Sequence, residues 1–190
     1  MGKVIASIFV SLDNLMVGEN EDMSWVVGDF NPEMAKDMDD DVTASMQAIF
    51  LGRITYEIMS KYWPGARVED EGPGVDEMNL TPKIVFSKTL QNAEWGRFEN
   101  ATVLKEIVPV EIEHLKKQSE KPLVLMGSAS IVQQFARLGL IDEYVLWLHP
   151  VILGRGKPLF KDNNPKQDLR LIKSRVYQNG VMKLILEPKK

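Results

Sequence analysis

Cysteine is absent from this chain of 190 residues, and histidine occurs only twice. A protein without cysteine has no disulfide, no thiolate nucleophile and no zinc–thiolate site. His149 precedes Pro150 near the end of a strand pattern, and His114 lies on a polar helical face. Neither histidine can be combined with other residues into a Ser-His-Asp triad or a metal site. The sequence thus excludes several common kinds of active site, and the lack of cysteine fits a cytoplasmic protein.

Excess positive charge and long apolar runs are missing too. The net charge is −4 and the sequence pI is near 5.3, so we expect no nucleic-acid partner. The first apolar run is interrupted by Ser7 and ends at Asp13, which makes it too short for a signal peptide or a membrane span. The acidic run Asp39–Asp41 predicts a solvated helix face and not a metal site.

What is present is an ordinary globular composition, with 44% hydrophobic and 26% charged residues. A chain of this length can bury a sizeable core. No internal repeat or linker divides it, so we expect one domain over residues 1–190.

Apolar strand patterns alternate with helical patterns over the first 140 residues. Helical patterns begin at Pro32, after Gly52, at Pro109 and after Ser128. Long loops are expected at 14–30 and 65–82. The predicted strands span residues 3–10, 48–52, 83–87, 101–105, 122–126 and 143–153.

The dipeptide Asn179-Gly180 separates two further strand patterns and is a strong hairpin signal. Together, these patterns predict an α/β protein in three layers. We expect helices on both faces of a mixed, mostly parallel sheet that a C-terminal antiparallel hairpin completes.

The stretch LVLMGSASIVQQF, residues 123–135, joins a buried strand to a helix through four small residues. The first amides of a helix have no helical partner and carry partial positive charge, so this geometry suits a phosphate group. A simpler explanation is that a serine caps the helix and Gly127 permits a tight turn.

Two other strand ends have a similar character. Gly52 ends one strand and is followed by Arg53 and Thr55, while Ser87, Lys88 and Thr89 follow another. Because ligands of open α/β sheets bind at the carboxyl ends of strands, these junctions together favour a site for a phosphorylated cofactor.

Several motifs occur in the order seen in dihydrofolate-reductase-like proteins: SLDN, GRITYE, SKTL, GSASIVQQF and GLIDEYVLWLHPVILGRGKPLF. The sequence most resembles the C-terminal reductase domain of the bifunctional riboflavin-biosynthesis deaminase-reductase, including its stand-alone relatives. The resemblance spans nearly the whole chain. It implies an NADPH-dependent reductase of 5-amino-6-(5-phosphoribosylamino)uracil.

The resemblance also implies where the cofactor and the substrate bind. The adenosine 2′-phosphate would lie near Arg53 and Lys88. Asp13 is the best-placed carboxylate for catalysis, although it also suits a turn. Trp25 and Trp63 are candidates for the wall of the substrate pocket. The expected cofactor residues are Gly52, Arg53, Thr55, Ser87, Lys88, Thr89, Gly127, Ser128, Ala129, Ser130 and Ile131.

The sequence departs from the family pattern on the substrate side. Ser7 stands where the family usually has a lysine, and Met59 and Ser60 replace an acidic pair. Two alternatives therefore stay open: a dihydrofolate or pterin reductase, in which Asp37 or Glu33 would supply the acidic group, and a non-catalytic nucleotide-binding module. We also expect a homodimer, because the segment 143–153 is more apolar than one sheet face requires and relatives pair through that region.

Overall fold

The computed structural model describes residues 1–27, 32–38, 45–72, 74–161 and 165–189. Its strands are β1 (Val4–Ser11), β2 (Leu15–Gly18), β3 (Ala48–Gly52), β4 (Lys83–Phe86), β5 (Ala101–Leu104), β6 (Leu123–Leu125), β7 (Glu143–His149), β8 (Gly156–Pro158), β9 (Leu169–Val176) and β10 (Met182–Pro188). Its α-helices are α1 (Ser24–Val27), α2 (Pro32–Met38), α3 (Arg53–Tyr62), α4 (Val68–Glu71), α5 (Gly74–Leu80), α6 (Pro109–Lys117) and α7 (Ala129–Arg137).

Eight of these strands form one sheet in the order β5-β4-β3-β6-β1-β7-β10-β9. The first six run parallel, and β10 pairs antiparallel with both β7 and β9. The turn between β9 and β10 lies at Asn179-Gly180, where Gly180 has a φ of +85°. The predicted α/β fold, with its mostly parallel sheet and C-terminal hairpin, is confirmed.

Both faces of the central strands are buried, which explains why their sequences are almost continuously apolar. On one face, α7 packs Val132 and Phe135 against Phe50 and Leu125 of the sheet. On the other face, Met34 of α2 and Tyr56 of α3 belong to the core around the sheet residues Ile49, Leu51, Val85, Val124, Val145 and Trp147. The helices therefore sandwich the sheet.

The structure corrects the two predicted long loops. Residues 65–82 contain α4 and α5, and α5 buries Val75 and Met78. Burial of this short apolar pair outweighs the many polar and glycine residues around it. The segment 14–30 contains β2 and α1, and β2 forms a small antiparallel ribbon with β8.

Two other element boundaries also differ from the predictions. The strand predicted for 143–153 ends at His149, since Pro150 has no amide hydrogen for the ladder. Of the helical pattern proposed through Met46, α2 accounts for the part up to Met38, and Met46 lies outside any helix. The acidic run Asp39–Asp41 falls outside the described residues.

Among the described helices, none is long and apolar enough to cross a membrane.

Candidate functional site

The three junctions predicted from the sequence lie on three neighbouring strands. In the sheet, β3 lies between β4 and β6. Gly52 pairs in register with Phe86, and Phe50 pairs with Leu125. The residues that follow these strands therefore lie side by side at the carboxyl edge of the sheet. The structure thus brings all three stretches of candidate cofactor residues together.

Glycine is required at the ends of both β3 and β6, for different reasons. Gly52 N donates a 2.7 Å hydrogen bond to Gly127 O. A Cβ at Gly52 would collide with the Ser128 hydroxyl and would lie 3.0 Å from Ser128 N. Gly127 has a φ of +118°, which L side chains rarely adopt, and its peptide bond to Ser128 is cis. Glycine at position 52 therefore leaves room for Ser128, and glycine at position 127 allows the backbone conformation of the turn.

The start of α7 presents small residues at this edge. Ser128 precedes the helix, but its side chain makes no capping hydrogen bond; its Oγ lies 3.3 Å from Ser130 Oγ. The simpler explanation for this serine, a helix cap, is therefore not what the structure shows. Ala129 is half-buried, and Ile131 turns into the core with 8% exposure. Amides and hydroxyls at this helix start can meet an anionic group.

The start of α3 supplies a cation. Arg53 is exposed, and its guanidinium donates a 2.8 Å hydrogen bond to Glu57 Oε1, one turn further along the helix. An exposed pair of this kind contributes at most about 1 kcal/mol, so a phosphate group can displace Glu57. Thr55 faces β6, since a Cβ on Gly127 would lie 3.2 Å from Thr55 Oγ1.

The loop after β4 is built around the hydroxyl of Ser87. This buried oxygen accepts hydrogen bonds from Leu90 N at 3.0 Å and from Thr89 N at 3.3 Å. Lys88 and Thr89 are exposed at the turn that this arrangement creates. Ser87 therefore shapes the loop, while Lys88 and Thr89 face solvent, where a ligand can reach them.

Asp13 connects the turn after β1 to the loop at Leu153 and Gly154. Its carboxylate accepts hydrogen bonds from Ser11 Oγ at 2.6 Å, Gly154 N at 2.8 Å and Leu153 N at 3.1 Å. The Ser11 hydroxyl, followed by the Gly154 amide, lowers the pKa of Asp13 below its usual value. Through these contacts, the ionised carboxylate of Asp13 holds the loop at Leu153 and Gly154 against the turn after β1. A catalytic role for it stays a prediction.

The two candidate tryptophans occupy different surroundings. Trp25, on α1, is half-buried and meets the ring of His149 edge-on with 5.0 Å between ring centroids. Trp63 follows α3, lies 5.4 Å from the ring of Tyr62 and accepts a hydrogen bond from Asn79 at its carbonyl. Trp25 thus lies at the carboxyl end of β7, and Trp63 belongs to the packing of α3 against α5.

A charged cluster between α2 and the C-terminal hairpin was missed by the sequence analysis. Asp37 accepts hydrogen bonds from Arg175 at 2.6 Å, from Tyr177 at 2.7 Å and from Lys183 at 3.2 Å. Lys183 is 1% exposed, and its ammonium lies 5.2 Å from the centre of the Trp147 ring. In the sequence, Lys183 looks like a residue on the solvent face of an alternating strand, so no local signal indicates its burial.

This cluster bears on the reductase alternative that needs an acidic group in the first helix. Burial by itself raises the pKa of Asp37, but the hydrogen bonds from Tyr177, Lys183 and Arg175 outweigh burial and lower it to about 2. Asp37 is therefore ionised at neutral pH and its oxygens are engaged. Glu33 is paired with Arg175. Both observations weigh against a pterin-binding role for these carboxylates.

The structure also shows what surrounds two of the positions at which the sequence departs from the family pattern. Ser7 Oγ accepts a 3.3 Å hydrogen bond from the indole of Trp147, so the position of the expected lysine holds a neutral, engaged side chain. Met59 packs into the core on the same face of the sheet. Ser7 and Met59 are thus half-buried beside an apolar and aromatic core.

A sequence model of the RibD C-terminal domain matches residues 2–183. The chain belongs to the RibD C-terminal domain family. The resemblance inferred from the motifs is thereby confirmed. This RibD C-terminal domain is 29% identical over 188 residues to the uncharacterized protein YyaP of Bacillus subtilis (strain 168), covering 96% of this chain and 93% of that protein.

Solved structures share its fold at lower identity. A putative riboflavin biosynthesis protein from Shewanella sp. PV-4 matches with a TM-score of 0.79 and 21% identity, covering 99% of both chains. The diaminohydroxyphosphoribosylaminopyrimidine deaminase/5-amino-6-(5-phosphoribosylamino)uracil reductase of Thermotoga maritima matches with a TM-score of 0.64 and 13% identity, covering 99% of this chain and 57% of that one. The RibD C-terminal domain fold is a reductase fold, and the family indicates an oxidoreductase.

Proposed function

We propose that this protein is an NADPH-dependent reductase. The observation that carries the proposal is the convergence of Gly52-Arg53, Ser87-Lys88 and Gly127-Ser128 at the ends of three adjacent strands. Close backbone approach, small residues and two exposed cations suit a dinucleotide with a 2′-phosphate. The donor set therefore fits NADPH.

The residues of this site would hold the cofactor and do little chemistry themselves. The amides and hydroxyls of Ser128 and Ser130 would bind the pyrophosphate, and Arg53 and Lys88 would bind the 2′-phosphate. Bound NADPH supplies a hydride for an electron-poor carbon of the substrate. Trp25, beside the carboxyl end of β7, would exclude water from the substrate side.

The cofactor proposal is tested by comparing dissociation constants for NADPH and NADH. We expect the wild type to prefer NADPH by about tenfold or more, since a charge-assisted hydrogen bond contributes about 1.5–3 kcal/mol. Arg53→Ala removes most of this preference. Arg137→Ala, at the opposite end of α7, is the matched control and leaves it unchanged. Equal affinities of the wild type for the two nucleotides would rule out the proposed 2′-phosphate contact.

We further propose that the substrate differs from the phosphoribosylated aminouracil of the family. A phosphoribosyl group needs cationic or donor contacts, whereas Ser7 and Met59 replace charged residues, and Arg175 and Lys183 are engaged by carboxylates. Losing a charged partner costs about 1.5–3 kcal/mol, or roughly a hundredfold in affinity at the upper end. Two such losses leave little activity toward that substrate.

The substrate proposal is tested by following NADPH oxidation with the aminouracil phosphate and, in parallel, with dihydrofolate. We expect slow turnover of the aminouracil phosphate. Turnover at about 1 per second or faster, typical of an enzyme acting on its own substrate, would contradict this substrate proposal while supporting NADPH dependence. NADPH binding with no turnover of either compound would favour a nucleotide-binding module.

A further inference from the structure

The loop that carries Lys88 and Thr89 is long, so other residues must hold it in position if it is to contact a ligand. It begins after β4 and continues to Trp95, whose side chain is fully buried in the core. The Ser87 hydroxyl shapes only its first turn. The rest of the loop is held by side chains from two neighbouring elements.

One attachment comes from β5. Lys105 follows this strand, and its ammonium donates hydrogen bonds to Leu90 O and, at 3.4 Å, to Gln91 Oε1. Leu104 pairs with Phe86 in the sheet, so Lys105 stands beside the start of the loop. This contact fixes the loop relative to the outer edge of the sheet but leaves its position relative to α3 undetermined.

The attachment to α3 is made by Tyr56. Its hydroxyl donates a hydrogen bond to Glu94 O at 2.8 Å and accepts one from Glu94 N at 2.7 Å. The side chain is buried, with 7% exposure, and its ring lies 6.4 Å from the ring of Trp95. A single hydroxyl thus satisfies both backbone groups of one loop residue from within the helix that begins with Arg53.

We infer that Tyr56 is a positioning residue of the cofactor site, which holds the loop of residues 87–94 against α3 so that Arg53, Lys88 and Thr89 meet one ligand. This inference rests on the proposed cofactor. Arg53 and Tyr56 belong to the same helix. By holding the loop against this helix, the tyrosine fixes Lys88 relative to Arg53 at the proposed 2′-phosphate site. Binding groups on a loop need such support, because small displacements weaken directed contacts.

The test replaces Tyr56 by phenylalanine, which keeps the ring and removes both hydrogen bonds. We expect Tyr56→Phe to weaken NADPH binding about tenfold, the effect of one or two lost hydrogen bonds, and to weaken NADH binding much less. Hydrogen exchange of the ligand-free protein should become faster at the amides of residues 87–94. The matched control is Tyr62→Phe, an exposed tyrosine of the same helix whose hydroxyl contacts Glu71.

The two measurements separate the possible outcomes. Faster loop exchange together with a reduced NADPH-to-NADH preference supports the inference. Faster exchange with unchanged preference, or an equal loss for both nucleotides, overturns it, because the tyrosine would then be structural only. A wild type that binds neither nucleotide overturns the proposed function, and this inference with it. Amides of the neighbouring strands serve as an internal reference: faster exchange confined to residues 87–94 distinguishes a local effect from a general loss of stability.

Discussion

Lys83 is a buried charge at the amino end of β4, far from the proposed site. It is 1% exposed, donates a 2.7 Å hydrogen bond to Asn79 O and lies 4.3 Å from the centre of the Trp95 ring. Burial lowers the pKa of Lys83 to about 7. Because the unfolded chain keeps this proton up to its ordinary pKa near 10.5, the free energy of unfolding should rise with pH between these values.

The first prediction follows from this increase of the free energy of unfolding with pH. Lys83→Met should raise the free energy of unfolding by about 1–2 kcal/mol at pH 6, since a buried charge is replaced by a side chain of similar size. Asn79 O keeps its 2.8 Å hydrogen bond from Asn100. Near pH 10 the advantage should have largely disappeared. Denaturant titrations at both pH values measure it, with the exposed Lys117→Met as control.

A destabilised Lys83→Met at pH 6 would show that the ammonium gains more from Asn79 and Trp95 than burial costs it. An advantage that does not change with pH would show that the lysine stays protonated in the folded protein. Either result would contradict the lowered pKa.

At the scale of elements, α2 is attached to the hairpin of β9 and β10 by the charged cluster around Asp37. The helix has only seven residues, too few to be stable by itself. Tertiary contacts must therefore hold it in place. Asp37 provides polar contacts to three residues of the hairpin region, while Met34 is fully buried on the same helix.

The second prediction concerns this attachment. Asp37→Asn should lower the free energy of unfolding by about 2–4 kcal/mol, because a neutral amide replaces the ionised carboxylate that the buried ammonium of Lys183 contacts. The double variant Asp37→Asn, Lys183→Met should recover much of the loss. Glu33→Gln, a neighbouring partner of Arg175 that is more exposed, is the control and should change stability by less than about 1 kcal/mol.

The same contacts predict an acid dependence. Since the pKa of Asp37 is lowered from 3.8 to about 2, its contribution is complete above pH 4 and is lost as the pH falls through 2. Wild type and Asp37→Asn should therefore converge in stability at low pH. A constant difference down to pH 2 would contradict the assignment of this carboxylate.

At the scale of the molecule, we propose that the chain forms one domain, because β1 from the N-terminal part lies between β6 and β7 and the C-terminal β10 continues the same sheet. The homodimer also remains a proposal, but the interface expected at segment 143–153 must be revised. The segment 143–153 contributes a strand that is enclosed between β1 and β10, and Tyr144, Val145 and Trp147 are at most 1% exposed. These residues belong to the core and cannot form an interface.

Within 143–153, Ile152 alone among the large hydrophobic residues is strongly exposed, at 70%, whereas β9 carries three such residues. Leu171, Ile172 and Val176 are 54%, 48% and 69% exposed on the edge strand of the sheet. An edge strand with exposed apolar residues favours pairing with a second chain. We therefore place the proposed dimer interface at β9.

The third prediction is that light scattering at about micromolar concentration gives a dimer for the wild type, since stable dimers persist at such concentrations. Replacing Leu171 and Val176 by glutamate should give a monomer with unchanged secondary structure. Val110→Glu, at an exposed apolar residue of α6, is the control and should stay dimeric. A monomeric wild type would remove the proposal altogether.

Much of this arrangement could be predicted from the sequence. The apolar runs at 3–10, 48–52 and 122–126 identified buried parallel strands, because a strand covered on both faces needs apolar residues in succession. Gly127 and Gly180 marked backbone conformations that other residues adopt poorly, and Gly52 marked a close approach of two chain segments. The three strand ends with small or cationic residues could thus be grouped into one candidate site before their positions were known.

Tertiary structure alone decided the rest. The short α5 exists because Val75 and Met78 find an apolar surface, which the polar segment 65–82 does not reveal.

Lys83 and Lys183 are buried because Trp95, Trp147 and Asp37 surround them, although each residue is distant in the chain from most of its partners. Tyr56 contacts Glu94 across 38 positions of sequence. Local patterns determined strands, helices and turns, since these depend on near neighbours. Burial of charge and the position of a loop depend on residues that only the folded chain brings together.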